Sequence, residues 1–172
     1  MFDKKQTESF LTLRALACRK RTTTEPLMSL PEPTVHHCRP HLQVSCAIIE
    51  RDGLVLAARR SATMSLPLKW EFPGGKIDPG ESPAECLLRE LREELRILVR
   101  LEQKLPVSTH QYPSVTVTLH PFVCTMAAGH PNPQEHDTVA WFTPEKLCTL
   151  DWAAADVPVL ASYLVRRRKD VR

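Results

Sequence analysis

No part of this chain restricts its possible folds more than Ser82-Pro83-Ala84-Glu85-Cys86-Leu87-Leu88-Arg89-Glu90-Leu91-Arg92-Glu93-Glu94-Leu95. Pro83 suits the first turn of a helix, and Ser82 suits its N-cap. At about 100° per residue, Ala84, Leu88, Leu91 and Leu95 share one stripe, predicted to face a core. Glu90, Glu93 and Glu94 fall within a separate arc, by the i, i+3, i+4 rule. Carboxylates at that spacing repel, each pair destabilising the helix by roughly a few tenths of a kcal/mol. One compensation is a hard divalent cation, which prefers oxygen ligands. The other is solvent, with Arg89 and Arg92 lacing the acidic face.

The rest of the chain sets the frame for that helix. Its 172 residues, 42% apolar and 25% charged, predict one domain with at most a small appendage. No apolar run approaches the roughly 18 residues of a membrane span, so no membrane partner is expected. A net charge of +3 is too small to imply a nucleic-acid coat, and no polymeric nucleic acid is required. Cys18, Cys38, Cys46, Cys86, Cys124 and Cys148 are irregularly spaced and form no CxxC. They read as free thiols of a reducing compartment, the cytoplasm. His36-His37-Cys38 with His41 matches no standard metal spacing and reads as a solvated loop. Residues 1–43 are interrupted by Pro26, Pro31, Pro33 and Pro40 and read as a flexible N-terminal extension. Residues 44–172 read as the domain proper. The basic run Arg166-Arg167-Arg168-Lys169 reads as the end of a helix, where cations meet the negative dipole.

Within the domain, Val44–Glu50 and Leu54–Ala58 flank Arg51-Asp52-Gly53 and read as a hairpin. Ser65–Asp78 is rich in Pro and Gly and reads as loop with little regular structure. Val115–Thr125 reads as a strand that Pro121 pushes toward an edge or a bulge. Thr138–Phe142 reads as a short strand, and Ala155–Arg168 as a second helix with Pro158 in its first turn. Strands around two helices imply an α/β fold with a mixed sheet.

Upstream residues add weight to the metal reading of the acidic arc. The pair Gly74-Gly75 lets backbone approach a ligand without Cβ obstruction. Arg89 can hold Glu81 in a bidentate fork and fix the loop to the helix. Gly75, five residues, Glu81, seven residues, Arg89-Glu90-Leu91, one residue and Glu93-Glu94 together resemble the Nudix box. Trp70-Glu71-Phe72-Pro73-Gly74-Gly75-Lys76 resembles the approach segment of that family's MutT-like branch. Glu135, six residues before Trp141, resembles the branch's additional metal carboxylate. One position departs: where the family box ends in Gly, this chain has Arg96. Arg in a left-handed C-cap would cost about 1 kcal/mol, unless the helix runs on.

The resemblance implies an α/β/α sandwich and Mg²⁺-dependent hydrolysis, with Mn²⁺ a plausible substitute. The implied substrate is a small-molecule nucleotide, a (deoxy)nucleoside triphosphate cut to monophosphate and pyrophosphate, and the enzyme a monomer or homodimer. It implies cation ligation by Gly75, Glu90, Glu93, Glu94 and Glu135, with Glu90 the general base or water-orienting ligand and Arg89 and Glu81 in support. By the same resemblance Phe72 walls a base pocket, Arg60 contacts substrate and Asp156 reads the base. Asp156 falls where the 8-oxoguanine-selective branch carries Asn. An ionised Asp only accepts hydrogen bonds and would suit an exocyclic amine, unless its pKa is raised enough to protonate it. Asp156 could also be an N-cap. Three functions follow: sanitation of oxidised nucleotides such as 8-oxo-dGTP, a preference for CTP or 5-methyl-dCTP, or base recognition without hydrolysis. The glutamates argue against the last.

Overall fold

The computed structural model describes residues 39–170. The expected extension, together with Cys18 and His36-His37-Cys38, lies outside these residues up to position 38. Strand β1 (His41–Arg51) begins three residues before the expected start at Val44. His41 lies on it, with its ring 2.8 Å from the Thr118 hydroxyl. The hairpin to β2 (Leu54–Arg59) turns through Asp52 and Gly53, both at positive φ. That is the primed geometry that matches strand twist.

β1 reads as a nearly unbroken apolar run because both of its faces are covered. Ala47 and Ile49 pack with Leu87, Leu91 and Leu95 of α1 (Pro83–Leu95). Cys46 and Ile48 pack with Val159, Leu160 and Tyr163 of α3 (Val157–Asp170). A helix on each face of the sheet makes the expected α/β/α sandwich. The Tyr163 hydroxyl donates to Glu50 Oε1 at 2.7 Å and ties α3 to β1. Among the described residues, no helix is long and apolar enough to cross a membrane, and Cys46, Cys86, Cys124 and Cys148 are free thiols.

The expected loop at Ser65–Asp78 contains two short strands, β3 (Trp70–Glu71) and β4 (Gly74–Lys76). Their order comes from tertiary pairing rather than local propensity. β1 and β2 diverge beyond their turn, and this segment fills the fork, β3 pairing with β2 and β4 with β1. Ala47 N–H also donates to the Pro73 carbonyl at 2.9 Å. The sequence reading omitted β5 (Leu98–Lys104) and β6 (Ser108–Gln111). Both pair antiparallel with β7 (Thr116–Ala128), which runs parallel to β1. β8 (Thr138–Phe142) pairs antiparallel with β2, so the sheet is mixed. A short helix, α2 (Pro144–Leu147), follows β8, and α3 starts two residues later than expected.

Pro121 is not on an edge. β7 lies between β1 and the β5/β6 pair, and its outer partner changes from β6 to β5 at Pro121. The Pro121 carbonyl accepts from Leu105 on that outer side, so the missing N–H falls at the seam.

In α1, Ser82 caps through a reciprocal box with Glu85. The buried stripe is centred on Leu87, Leu91 and Leu95, with Leu88 only half-buried, which corrects the expected Ala84-Leu88-Leu91-Leu95 face. The helix ends at Arg96, which takes the left-handed conformation (φ 57°). Replacing Arg96 with Gly should therefore raise unfolding stability by about 0.5–1 kcal/mol, as measured by urea denaturation.

Candidate active site

The Nudix-like segment assembles around Arg89. Its Nε and Nη2 each donate to Glu81 at 2.9 Å, forming the bidentate fork expected from the sequence. Nη1 donates to Glu90 Oε1 at 2.8 Å and to Glu93 Oε2 at 3.4 Å. Nη2 also reaches the Lys76 carbonyl at 3.3 Å. These bonds hold the Glu81 carboxyl at about 2, well below the ordinary carboxylate range, and keep Arg89 firmly protonated.

Glu90 lies directly over Gly75. A Cβ built at Gly75 would land inside the Glu90 carboxyl group, so any larger residue there displaces Glu90. Glu93 is 63% exposed and turned toward Arg89. Glu94 is largely buried and its Oε2 has no hydrogen-bond partner. Burial raises its pKa to about 7; His136 offsets this, while the charges of Glu90, Glu135 and Glu71 reinforce it. Glu135 is exposed, on a segment tied to the end of α1. There Gln134 N–H donates to the Glu94 carbonyl and Asn132 N–H to the Leu95 carbonyl, both at 3.0 Å.

Among the described residues, no three His, Cys, Asp or Glu side chains form a ready-made metal cage. Glu90 and Glu93 turn to Arg89, and Glu94 turns inward. The groups present still suit a hard cation. They are oxygen donors, one a buried carboxylate oxygen without a partner, and Glu90 lies against a glycine whose missing Cβ leaves it room.

The residues expected to bind the base make the following contacts within the protein. Phe72 is 3% exposed and packs on Trp152, ring centroids 4.6 Å apart, as part of the core. Its backbone carries the polar contact. Phe72 N–H donates to Asp156 Oδ1 at 3.0 Å. Arg60 is committed to the protein itself. Nη1 reaches Glu71 Oε2 at 2.5 Å, and Nε and Nη2 reach the Ser65 carbonyl and hydroxyl. Asp156 is 5% exposed, and burial raises its pKa to about 8, offset by the Phe72 N–H. The shift favours the neutral carboxyl, which can donate as well as accept. Asp156 precedes α3 and its carbonyl accepts from Leu160 N–H at 2.9 Å.

Two polar residues were not assigned from the sequence. Glu71 accepts from Arg60 and, at Oε1, from His136 Nε2 at 2.8 Å. Glu71 adjoins Phe72 and His136 adjoins Glu135. A Glu between two aromatics in an otherwise apolar stretch was the available signal.

A mixed sheet between helices, with glutamates of one helix backed by a glycine of the sheet, defines a Nudix-type hydrolase fold. The Nudix domain signature matches residues 39–163, and the chain belongs to the Nudix family of hydrolases. It is 35% identical over 126 residues to the CTP pyrophosphohydrolase of Escherichia coli K12, covering 73% of this chain and 93% of that protein. It is 31% identical over 121 residues to the 8-oxo-dGTP diphosphatase of the same organism, covering 70% and 94%. The solution structure of a MutT protein of the Nudix hydrolase family from methicillin-resistant Staphylococcus aureus 252 superposes with a TM-score of 0.62. That protein is 36% identical, with 74% of this chain and 98% of that one covered. Nudix hydrolases generally use divalent metal ions.

Asp156 should make stability depend on pH. A carboxyl whose folded pKa lies above its unfolded value binds more protons when folded. Stability therefore falls as pH rises from about 4 toward about 8. In thermal melts from pH 5 to 8, Asp156→Asn should flatten this decline relative to wild type.

Proposed function

We propose that this chain is a Mg²⁺-dependent pyrophosphohydrolase of (deoxy)nucleoside triphosphates, acting on oxidised or modified nucleotides such as 8-oxo-dGTP. The observation that carries the reading is Glu90 seated over Gly75 while Arg89 joins it to Glu81. It keeps a carboxylate in place against the backbone of Gly75, as a fixed base for water requires.

Glu93, Glu94, Glu135 and the Gly75 carbonyl would hold the cations, Mg²⁺ or in its place Mn²⁺. Bound divalent cations supply charge neutralisation of the phosphates and a lowered pKa for water. Glu90 takes the proton from the attacking water. Arg89 orients Glu90, and Glu81 orients Arg89. The products are the monophosphate and pyrophosphate.

The preference for an oxidised purine is supported by the neutrality of Asp156. Protonated and buried, it has the donor-plus-acceptor character of the Asn that the 8-oxoguanine-selective branch carries there. That matches the adjacent oxygen acceptor and ring N–H donor of 8-oxoguanine. A second reading, CTP or 5-methyl-dCTP as preferred substrate, is favoured by the similarity to the CTP pyrophosphohydrolase over 93% of its length. An ionised Asp156 would suit the exocyclic amine of cytosine.

The test is pyrophosphate release from 8-oxo-dGTP, 5-methyl-dCTP and CTP with Mg²⁺. Turnover of at least one is expected, and release from none of them overturns the proposal. Chelation with EDTA should stop turnover. Glu90→Gln should lower kcat by roughly 100-fold or more, the scale of a lost general base. The ratio of 8-oxo-dGTP to CTP turnover should fall as pH rises through about 8, where Asp156 ionises. In Asp156→Asn that ratio should no longer change over this range; an unchanged pH profile in the variant removes Asp156 from base reading.

A further inference from the structure

Glu71 and Asp156 meet the same short stretch of backbone from opposite faces of the sheet. Trp70 and Phe72 pack into the core beneath α3. The pleat therefore sends the Glu71 side chain to the other face, where α1 lies. There Glu71 accepts from Arg60 and from His136. On the α3 face, Phe72 N–H, part of the peptide linking Glu71 to Phe72, donates to Asp156. One peptide unit is thus held from both faces.

His136 is held firmly enough to act on that unit. Its side chain is 3% exposed. Nε2–H donates to Glu71 Oε1 at 2.8 Å, while the buried Nδ1 has no partner. The backbone on either side is pinned. Gln134 N–H donates to the Glu94 carbonyl, and Asp137 N–H donates to the Arg59 carbonyl at 2.9 Å. The Asp137 carboxylate also accepts from Arg59. A donor fixed by its own backbone can set the orientation of the carboxylate it meets, and Arg60 alone, reaching from one side, would leave Glu71 free to swing.

We propose that His136 is a positioning residue for substrate discrimination. By fixing Glu71, it holds the Glu71–Phe72 peptide, and through it Asp156, in the orientation that reads the base. The same residue follows Glu135, so it joins the base-reading end of the site to the carboxylate end. The inference rests on the nucleotide reading above. It concerns discrimination between nucleotides and not proton removal, since no hydrogen bond of the Glu90–Arg89–Glu81 assembly involves His136.

The test compares wild type, His136→Leu and His136→Gln on 8-oxo-dGTP and CTP, with thermal melting of each. Leu fills the volume without a donor, and Gln restores an N–H. His136→Leu should narrow the ratio of kcat/KM between the two nucleotides by roughly tenfold, the scale of a lost hydrogen bond to a charged group. The change should lie in KM more than in kcat, and His136→Gln should recover most of it. In the Glu71→Gln background, His136→Leu should add little, since the two act as one unit. A folded His136→Leu variant with the wild-type ratio overturns the inference, as does a loss confined to kcat or a Gln variant no better than Leu. A wild-type chain that hydrolyses neither nucleotide overturns the functional reading and this inference together. That failure is told apart by the wild-type arm itself being silent.

Discussion

The Arg89 guanidinium lets the acidic face of α1 exist beside a glycine-lined loop. It binds Glu81 through two nitrogens and reaches Glu90 and Glu93 through the third. Without it, three carboxylates would repel across one turn of helix, and the loop from Gly75 to Glu81 would lose its tie to the helix. The fork also explains why Glu90 can sit against Gly75 at all. A carboxylate pressed onto a backbone needs a fixed partner on its other side, and Arg89 is the next residue along the chain. Gly75 in turn is fixed by β4 pairing on β1, where it lies opposite Ser45. The site therefore inherits its precision from the centre of the sheet.

The parts of this arrangement that could be read in advance were those written locally. The hairpin around Asp52-Gly53 has its own turn chemistry, and α1 carries its cap, its proline and its arginine fork within a few residues. The strands between Trp70 and Lys76 were not legible, because a run of Pro and Gly has no period of its own. It becomes ordered only by filling the fork between β1 and β2. β5 was hidden because it pairs irregularly and carries charged residues such as Arg100 and Lys104. Leu87 and Leu88 are adjacent and chemically alike, so periodicity alone could not choose between them. The C-terminal part of α1 packs both ways equally well on paper, and the sheet decides.

The candidate site was legible where the box specifies it and illegible where burial changes the chemistry. Asp156 is an acceptor by residue type, yet its surroundings favour the neutral carboxyl, which can also donate. Enclosure by the core raises its pKa, and the Phe72 N–H offsets only part of that. Glu71, the residue before Phe72 and on the opposite face, is instead held as an acceptor by a guanidinium and an imidazole. Two carboxyl groups flanking Phe72 thus offer unlike hydrogen-bonding character. Arg60, expected at the substrate, is bonded to Glu71 and to Ser65.

The Arg96 departure shows how the helix end stays in place without the family glycine. Its left-handed backbone is unfavourable for a residue with a Cβ, yet Arg96 N–H still donates to the Leu91 carbonyl and closes the last turn. The two carbonyls just before it, Glu94 and Leu95, are capped by backbone N–H groups of Gln134 and Asn132. Those residues lead directly into Glu135. The same bonds that satisfy the helix terminus therefore deliver the segment carrying Glu135 to the side of α1 that carries Glu94. Backbone capping, not a side-chain contact, links these two carboxylates. A substitution at Arg96 that leaves the cap bonds intact can relieve local strain without moving either group.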